Sequence, residues 1–312
     1  MFYLYLVIAG LLGVIAPIQT SANSKAQEYL KSPLAASLCS FLLGTAILLV
    51  ITPLFEHGFS LSGSSLGELP WWAWCGGAAG MFGITANVFL FPRLGSMQTV
   101  LMPMVGQIIA GFIIDSFGLF GSPVYPISWL RLLGFVLVMV GVFYVVSHKG
   151  KHFRRKDTLV WQFFGNFAGA VLAMQPAMNA RLADGIGSPM KASLYSFASG
   201  TILLLALCFA LKQHRSSIPA IFTAKRPLWT WSGGLIGVFC VVGQTRLAPL
   251  LGVGLLTILN IFGMLACSVV IDNFGLLGAE KRPVTPKKVF GLVLVLAGII
   301  LLNIFLMNYF LR

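Results

Sequence analysis

Residues 32–45 read SPLAASLCSFLLGT and residues 188–201 read SPMKASLYSFASGT. Nine of the fourteen positions are identical: Ser, Pro, Ala, Ser, Leu, Ser, Phe, Gly and Thr. The two copies stand 156 residues apart, and the correspondence runs on at both sides. Gln19 and Asn23 recur at that offset as Gln175 and Asn179. Trp74, Gly76, Gly77 and Gly80 recur one residue later, as Trp231, Gly233, Gly234 and Gly237. IDSFGLFG at 114–121 recurs as IDNFGLLG at 271–278, and Gly134 and Gly141 recur as Gly291 and Gly298. One insertion between the second and third apolar segments of one copy explains the change of offset.

The solvent follows from the composition. Hydrophobic residues make up 58% of the 312 and charged residues 9%, against about 25% charged in a soluble domain. A water-exposed surface cannot be built from that inventory, so lipid must surround most of the chain. A hydrocarbon core of about 30 Å takes a helix of about 20 apolar residues. Helices satisfy their own backbone polar groups, and the apolar runs are too long for barrel strands. Ten runs are present, at 3–22, 33–54, 71–91, 98–118, 127–147, 159–178, 190–210, 228–248, 252–273 and 287–310. The expected fold is therefore an all-α membrane protein of ten transmembrane helices. It divides into a first five-helix repeat (1–147), a basic linker (148–158) and a second five-helix repeat (159–312). Five is odd, so the second copy enters the bilayer inverted. Inverted repeats build many secondary transporters, with the substrate held near the midplane where the halves meet.

The charge of +13 does not point to nucleic acid, because the basic residues sit in short gaps between apolar runs without aromatic interleaving. Lys149, Lys151, Arg154, Arg155 and Lys156 fill the central linker. Lys25, Lys31, Lys212, Arg215, Lys225, Arg226, Lys281, Arg282, Lys287 and Lys288 fall in other connections on the same side. The positive-inside rule puts that side in the cytoplasm and both termini outside. The N-terminal run lacks a basic flank and is long for a signal peptide, so it reads as a retained first span. The five cysteines lie far apart with no CxxC spacing, so neither a disulfide framework nor a metal knuckle is expected. No cofactor and no catalytic cluster is expected either.

Polar residues inside spans are costly and therefore informative. Gln19 and Asn23 share one helix face, as do Gln175 and Asn179. They read either as two mouths of one pathway or as groups bonded to loop backbone. Arg246 has Phe89 as its repeat mate, so symmetry does not explain it. It reads either as a pathway residue for an anionic group or as a side chain snorkelling to the interface. Asn87 with its mate Gln244, Gln107, Asn260 and Tyr195 complete the candidate pathway. Asp115 and Asp272, each in IDxFG at a helix end, read as acids that brace a turn, pair with the repeat mates Arg131 and Lys288, or relay protons. No acid or histidine lies mid-span, which disfavours exchange of protons for multivalent cations. Phe41 and Phe197 sit among small residues as core or cavity wall. Ser32-Pro33 and Ser188-Pro189 are helix starts, a capping hydroxyl before a proline at the first helical position. The small residues near Gly44, Gly200 and the recurring Gly-Gly pairs let helices approach closely.

NSKAQEYLKSPLAASLCSFLLGT and NARLADGIGSPMKASLYSFASGT, within a five-plus-five plan, resemble the YdcZ family of the drug/metabolite transporter superfamily. The resemblance covers essentially the whole chain. It implies a ten-helix fold and export of small organic solutes. It carries the motif positions Asn23, Ser32, Pro33, Ser40, Phe41, Gly44 and Thr45, with Asn179, Ser188, Pro189, Ser196, Phe197, Gly200 and Thr201. The small multidrug-resistance members of the superfamily use a glutamate in their first helix. This chain has none in its first or sixth span, so their coupling is not expected here. The expected function is secondary transport of a small polar or amphipathic metabolite by alternating access, with export favoured. Uptake, uncoupled facilitation, a structural role in a membrane complex and a lipid-modifying enzyme are the alternatives. The partners are the solute and membrane lipid, with the chain a monomer or homodimer.

Overall fold

The computed structural model describes residues 2–56, 58–59, 66–146, 158–223, 225–278 and 283–310; the basic linker lies outside the described residues. Eleven α-helices are seen among them: α1 (Phe2–Leu30), α2 (Pro33–Phe55), α3 (Gly76–Phe117), α4 (Trp129–Val146), α5 (Thr158–Ile186), α6 (Pro189–Ala210), the short α7 (Lys212–Arg215) and α8 (Ala220–Thr223), α9 (Ser232–Leu251), α10 (Val253–Phe274) and α11 (Pro286–Phe310). No strand occurs among the described residues.

Local chemistry explains the starts. Ser32 is extended and its hydroxyl accepts the Ala35 N–H, with Pro33 opening α2; Ser188, Lys191 and Pro189 do the same for α6. Ser32 Oγ also lies 2.8 Å from His214 Nδ1, which ties the α1–α2 turn to α7. Replacing either serine by alanine should cost about 1 kcal/mol, and Ser32→Ala should cost more than Ser188→Ala. Thermal unfolding of the purified variants checks the order.

Helical structure runs through 76–117, where the sequence predicts two spans. The contacts with α5 show that the segment folds back. Gly76 meets Asn179, Gly80 meets Gln175 and Gly83 meets Leu172, so the first limb runs antiparallel to α5. Arg93 stacks on Trp161, 3.9 Å from the ring centre. Gln98 accepts from Gln162 at 3.1 Å, and Gly121 lies against Arg181, so the second limb runs parallel to α5. Gly165 touches both Leu90 and Met102, which a straight helix would separate by about 18 Å. The reversal therefore falls between Arg93 and Gln98, opposite Gly252 in the second half, where φ is +78°.

Eight helical segments are long and apolar enough to cross a membrane among the described residues. α5 is more polar than these, carrying Gln162, Asn166, Gln175, Asn179, Arg181 and Asp184. Yet it packs along both limbs of α3, and with the first limb of α3 it completes ten crossings. The helices also outrun the apolar runs: α1 continues to Leu30 and α5 to Ile186. The mate acids Glu28 and Asp184, which fall outside the apolar runs, therefore stand on the helices of the first and sixth spans.

The halves interlock around a pseudo-two-fold axis. α2 packs on α6 and α4 on α11, each helix against its own repeat mate. Thr45 and Thr201 bring their hydroxyls to 2.9 Å, and the Phe41 and Phe197 rings pack 5.3 Å apart. Phe41 covers Gly200 and Phe197 covers Gly44, the self-complementary pattern of an isologous contact. Gly141 abuts Gly291, and Gly134 abuts Gly298. The first helix of each half packs across the interface: α1 against α9 and α10, and α5 against both limbs of α3. Rows of exposed apolar side chains, such as Leu132, Val136, Val140 and Phe143 on α4 and Val289, Val293, Leu296 and Ile300 on α11, face outward. In water such rows would be an aggregation surface; in lipid they are solvated.

Candidate functional site

Small residues set the centre of the molecule. Gly77 lies against the Ser196 carbonyl and the Ser199 hydroxyl, and Gly234 lies against the Ser40 carbonyl. α3 and α9 therefore approach α6 and α2 closely, and the polar residues of α1 and α5 are pressed between them. Gln19 packs on Gly237, which also meets the Phe197 ring; Gln175 packs on Gly80. Asn23 packs on Gly233 and Asn179 on Gly76. The sequence-predicted pairs Gln19/Asn23 and Gln175/Asn179 thus flank the Phe41–Phe197 contact from both sides. The two phenylalanines are buried, packed on each other and on glycines.

The two sides are not equal. Asn23 Oδ1 accepts the Ser40 hydroxyl at 2.5 Å. Asn179 is 1% exposed, and among the described residues neither its amide oxygen nor its nitrogen has a partner. A buried orphan amide costs about 1–3 kcal/mol. Packing is unequal as well. The C-terminal end of α5 packs against α9 and α10, with Ala180 among Leu247, Ala248 and Leu251. Among the described residues, α1 makes no packing of comparable extent against α3.

Other candidates scatter. Asn260 donates to its own Leu256 carbonyl at 2.9 Å, a bond internal to α10. Tyr195 stands edge-on to Trp74 at 5.3 Å and is partly exposed, away from the phenylalanine pair. Gln107 and Gln244 are half-buried. The Asn87 side chain lies outside the described residues. Arg246 is exposed and lines a cavity with Asp184 and Thr245, sharing no lining residue with the central pairs.

Asp115 does not brace its own turn, the role the sequence suggested; its carboxylate reaches across to the second half. It is 3% exposed, and its Oδ1 and Oδ2 accept the Val253 and Gly254 N–H groups, each at 2.7 Å. A carboxylate from the first half thereby caps the N-terminus of α10 in the second, where N–H groups and helix dipole both favour an anion. Arg131 sits beside it in the same small cavity and donates to the Tyr125 carbonyl and to Ser116 Oγ. Asp272, the repeat mate, instead pairs with Lys288 at 3.1 Å and stays 37% exposed. At the basic end Arg226 stacks on Trp231 at 3.9 Å and donates to Cys39 Sγ.

Sequence reasoning passed over Asp184 and Thr245. The signal for Asp184 was the repeat itself, since Arg181 and Asp184 are the mates of Lys25 and Glu28. No group of three or more potential metal ligands occurs among the described residues.

Two interlocked five-helix repeats with polar side chains against the pseudo-two-fold axis have the construction of secondary transporters. The family model described as "Putative inner membrane exporter, YdcZ" matches residues 4–144 and again 160–301. The chain belongs to that family, within the drug/metabolite transporters, and is an integral inner-membrane protein of transporter type. "Inner membrane protein YdcZ" of Escherichia coli (strain K12) is 25% identical over 141 residues, 45% of this chain and 91% of the relative. That relative has the length of one repeat. A solved structure described as "Crystal structure of protein" superposes with a TM-score of 0.61 at 15% identity, covering 96% of this chain and 94% of that one. This likeness speaks to the fold alone.

Proposed function

We propose that the chain exports a small polar or amphipathic metabolite across the inner membrane by alternating access between its two halves. The observation that carries this reading is the inequality of the mates: Asn23 bonded to Ser40, Asn179 buried without a partner among the described residues. Matching residues of a repeat held in two arrangements are what a molecule caught in one of two exchangeable states would display. The state is closed where α5 meets α9 and α10, at the end away from the basic turns. With the basic turns in the cytoplasm, the Gln19/Asn23 side is the cytoplasmic approach and Gln175/Asn179 the external one.

Comparing metabolites in cells with and without the gene tests export. A solute that accumulates inside on deletion, and is carried by reconstituted vesicles, supports it; depletion inside on deletion would reverse the direction. For sidedness, Gln27→Cys should react with an impermeant maleimide only from the cytoplasmic side, and Ile127→Cys only from outside. Both labelling from one side would overturn the inverted orientation. Asn179→Ala should leave the unfolding temperature unchanged or raise it, because an unsatisfied amide is removed. Asn23→Ala should lower stability by about 1 kcal/mol. Transport should fall in both.

A further inference from the structure

Away from the phenylalanine centre, at the end opposite the basic turns, α5, α6 and α9 enclose a polar cavity of about 250 Å³. Asp184 of α5 and Arg246 of α9 both line it, with Thr245 and with the apolar walls Ala180, Ala183 and Pro189. Three features distinguish it from an ordinary surface cleft. The Thr245 side chain is 1% exposed, and its hydroxyl has no partner among the described residues. A hydroxyl so deeply buried belongs to the wall of the cavity and is an unsatisfied polar group beside it. Neither Asp184 nor Arg246 belongs to an ion pair among the described residues. Most telling is the repeat. Glu28, the mate of Asp184, is held by Lys25 at 2.5 Å, whereas Arg181, the mate of Lys25, acts on Asp184 only at a distance. The second half has kept the charges of this pair and released the contact.

The surrounding backbone sorts the two charges. Asp184 stands in the last turn of α5, where carbonyl groups carry the negative end of the helix dipole and an acid is disfavoured unless a cation joins it. Pro189 opens α6, whose N-terminus carries the positive end and favours an anion. Arg246 has no counterpart in the first half, whose residue is Phe89, so the cationic side was added to one end of the molecule only. The geometry points to a binding site for a small zwitterion, its ammonium on Asp184 and its anionic group on Arg246, with a small apolar body against the alanines. Free α-amino acids and the phosphoethanolamine headgroup share this chemistry. The site is separate from the central pairs and does not depend on the transport reading.

The test uses the purified full chain in detergent, with thermal shift and calorimetry. The probes are L-leucine, L-leucinamide (cation only) and N-acetyl-L-leucine (anion only), with glycerophosphoethanolamine and glycerophosphoglycerol as the headgroup arm. At least one zwitterion should bind ten-fold or more tightly than its singly charged analogues. Arg246→Gln and Asp184→Asn should each weaken it ten-fold or more, and Arg246→Lys less than Arg246→Gln. Unliganded unfolding temperatures should stay near wild type, which separates lost binding from lost folding. Binding of L-leucine alone names a free solute, and binding of the headgroup alone names lipid; either supports the site. Equal binding of the singly charged probes, undiminished binding by the variants, or no response to either zwitterion overturns it. Transport that persists without zwitterion binding removes this site and leaves the exporter reading standing. Binding without vesicle transport does the reverse.

Discussion

Asp115→Asn should lower the unfolding temperature far more than Asp272→Asn does. Asp115 is buried, accepts two N–H bonds at 2.7 Å from the first turn of α10, and stands beside the buried Arg131. Asparagine keeps one acceptor but turns an amide donor toward the second N–H. It also leaves the Arg131 guanidinium, 3% exposed, without its counter-charge. Removing one partner of a buried charged arrangement costs about 3–5 kcal/mol. Asp272 is 37% exposed and its bond to Lys288 is partly hydrated, so its loss should cost about 1 kcal/mol or less. Thermal unfolding of both variants in one detergent makes the comparison. Equal losses would mean that the cross-half cap does not stabilise α10.

The second large effect concerns two glycines one turn apart on α1. A Cβ on Gly13 would stand 2.2 Å from the Asn260 carbonyl oxygen, which is backbone and cannot swing away. A Cβ on Gly10 would meet nothing within 4 Å. Gly13→Ala must therefore separate α1 from α10, at about 1–3 kcal/mol or more. Gly10→Ala should be neutral or stabilising by up to about 1 kcal/mol, since alanine is the better helix former. Gly169 is the repeat mate of Gly13, and its Cβ would stand 1.9 Å from the Pro103 carbonyl oxygen. Gly169→Ala should be as damaging as Gly13→Ala. Folded yield and unfolding temperature read all three; tolerance of Gly13→Ala would show that the crossing is looser than its contacts require.

Much of this was legible in the residues. Scarcity of charge made lipid the solvent, and lipid leaves helices as the economical way to bury backbone. The doubled SPxxASLxSF motif gave two copies, and an odd number of spans gave their inversion. The recurring Gly-Gly pairs announced close helix approach, and Gly77 on Ser196 and Gly234 on Ser40 are that approach. The Ser-Pro starts predicted caps that Ser32 and Ser188 form. Each of these is a property of a short segment or of a period, and the chain alone carries it.

Tertiary packing decided the rest, because it concerns residues far apart in sequence whose separation no local pattern encodes. The partner of Asp115 is not its own Phe-Gly turn but the start of α10, 138 residues on. The first helix of each half packs on the other half, so the repeats interlock. Asn23 and Asn179 occupy matching positions in the sequence, yet among the described residues only Asn23 is bonded to a hydroxyl. Asp184 and Arg246 meet across one cavity because α5 and α9 close at one end of the bundle. A repeated sequence fixes which contacts are available twice; packing decides which are made in both halves, as the Ser32 and Ser188 caps are, and which in one alone, as the Asn23–Ser40 bond is.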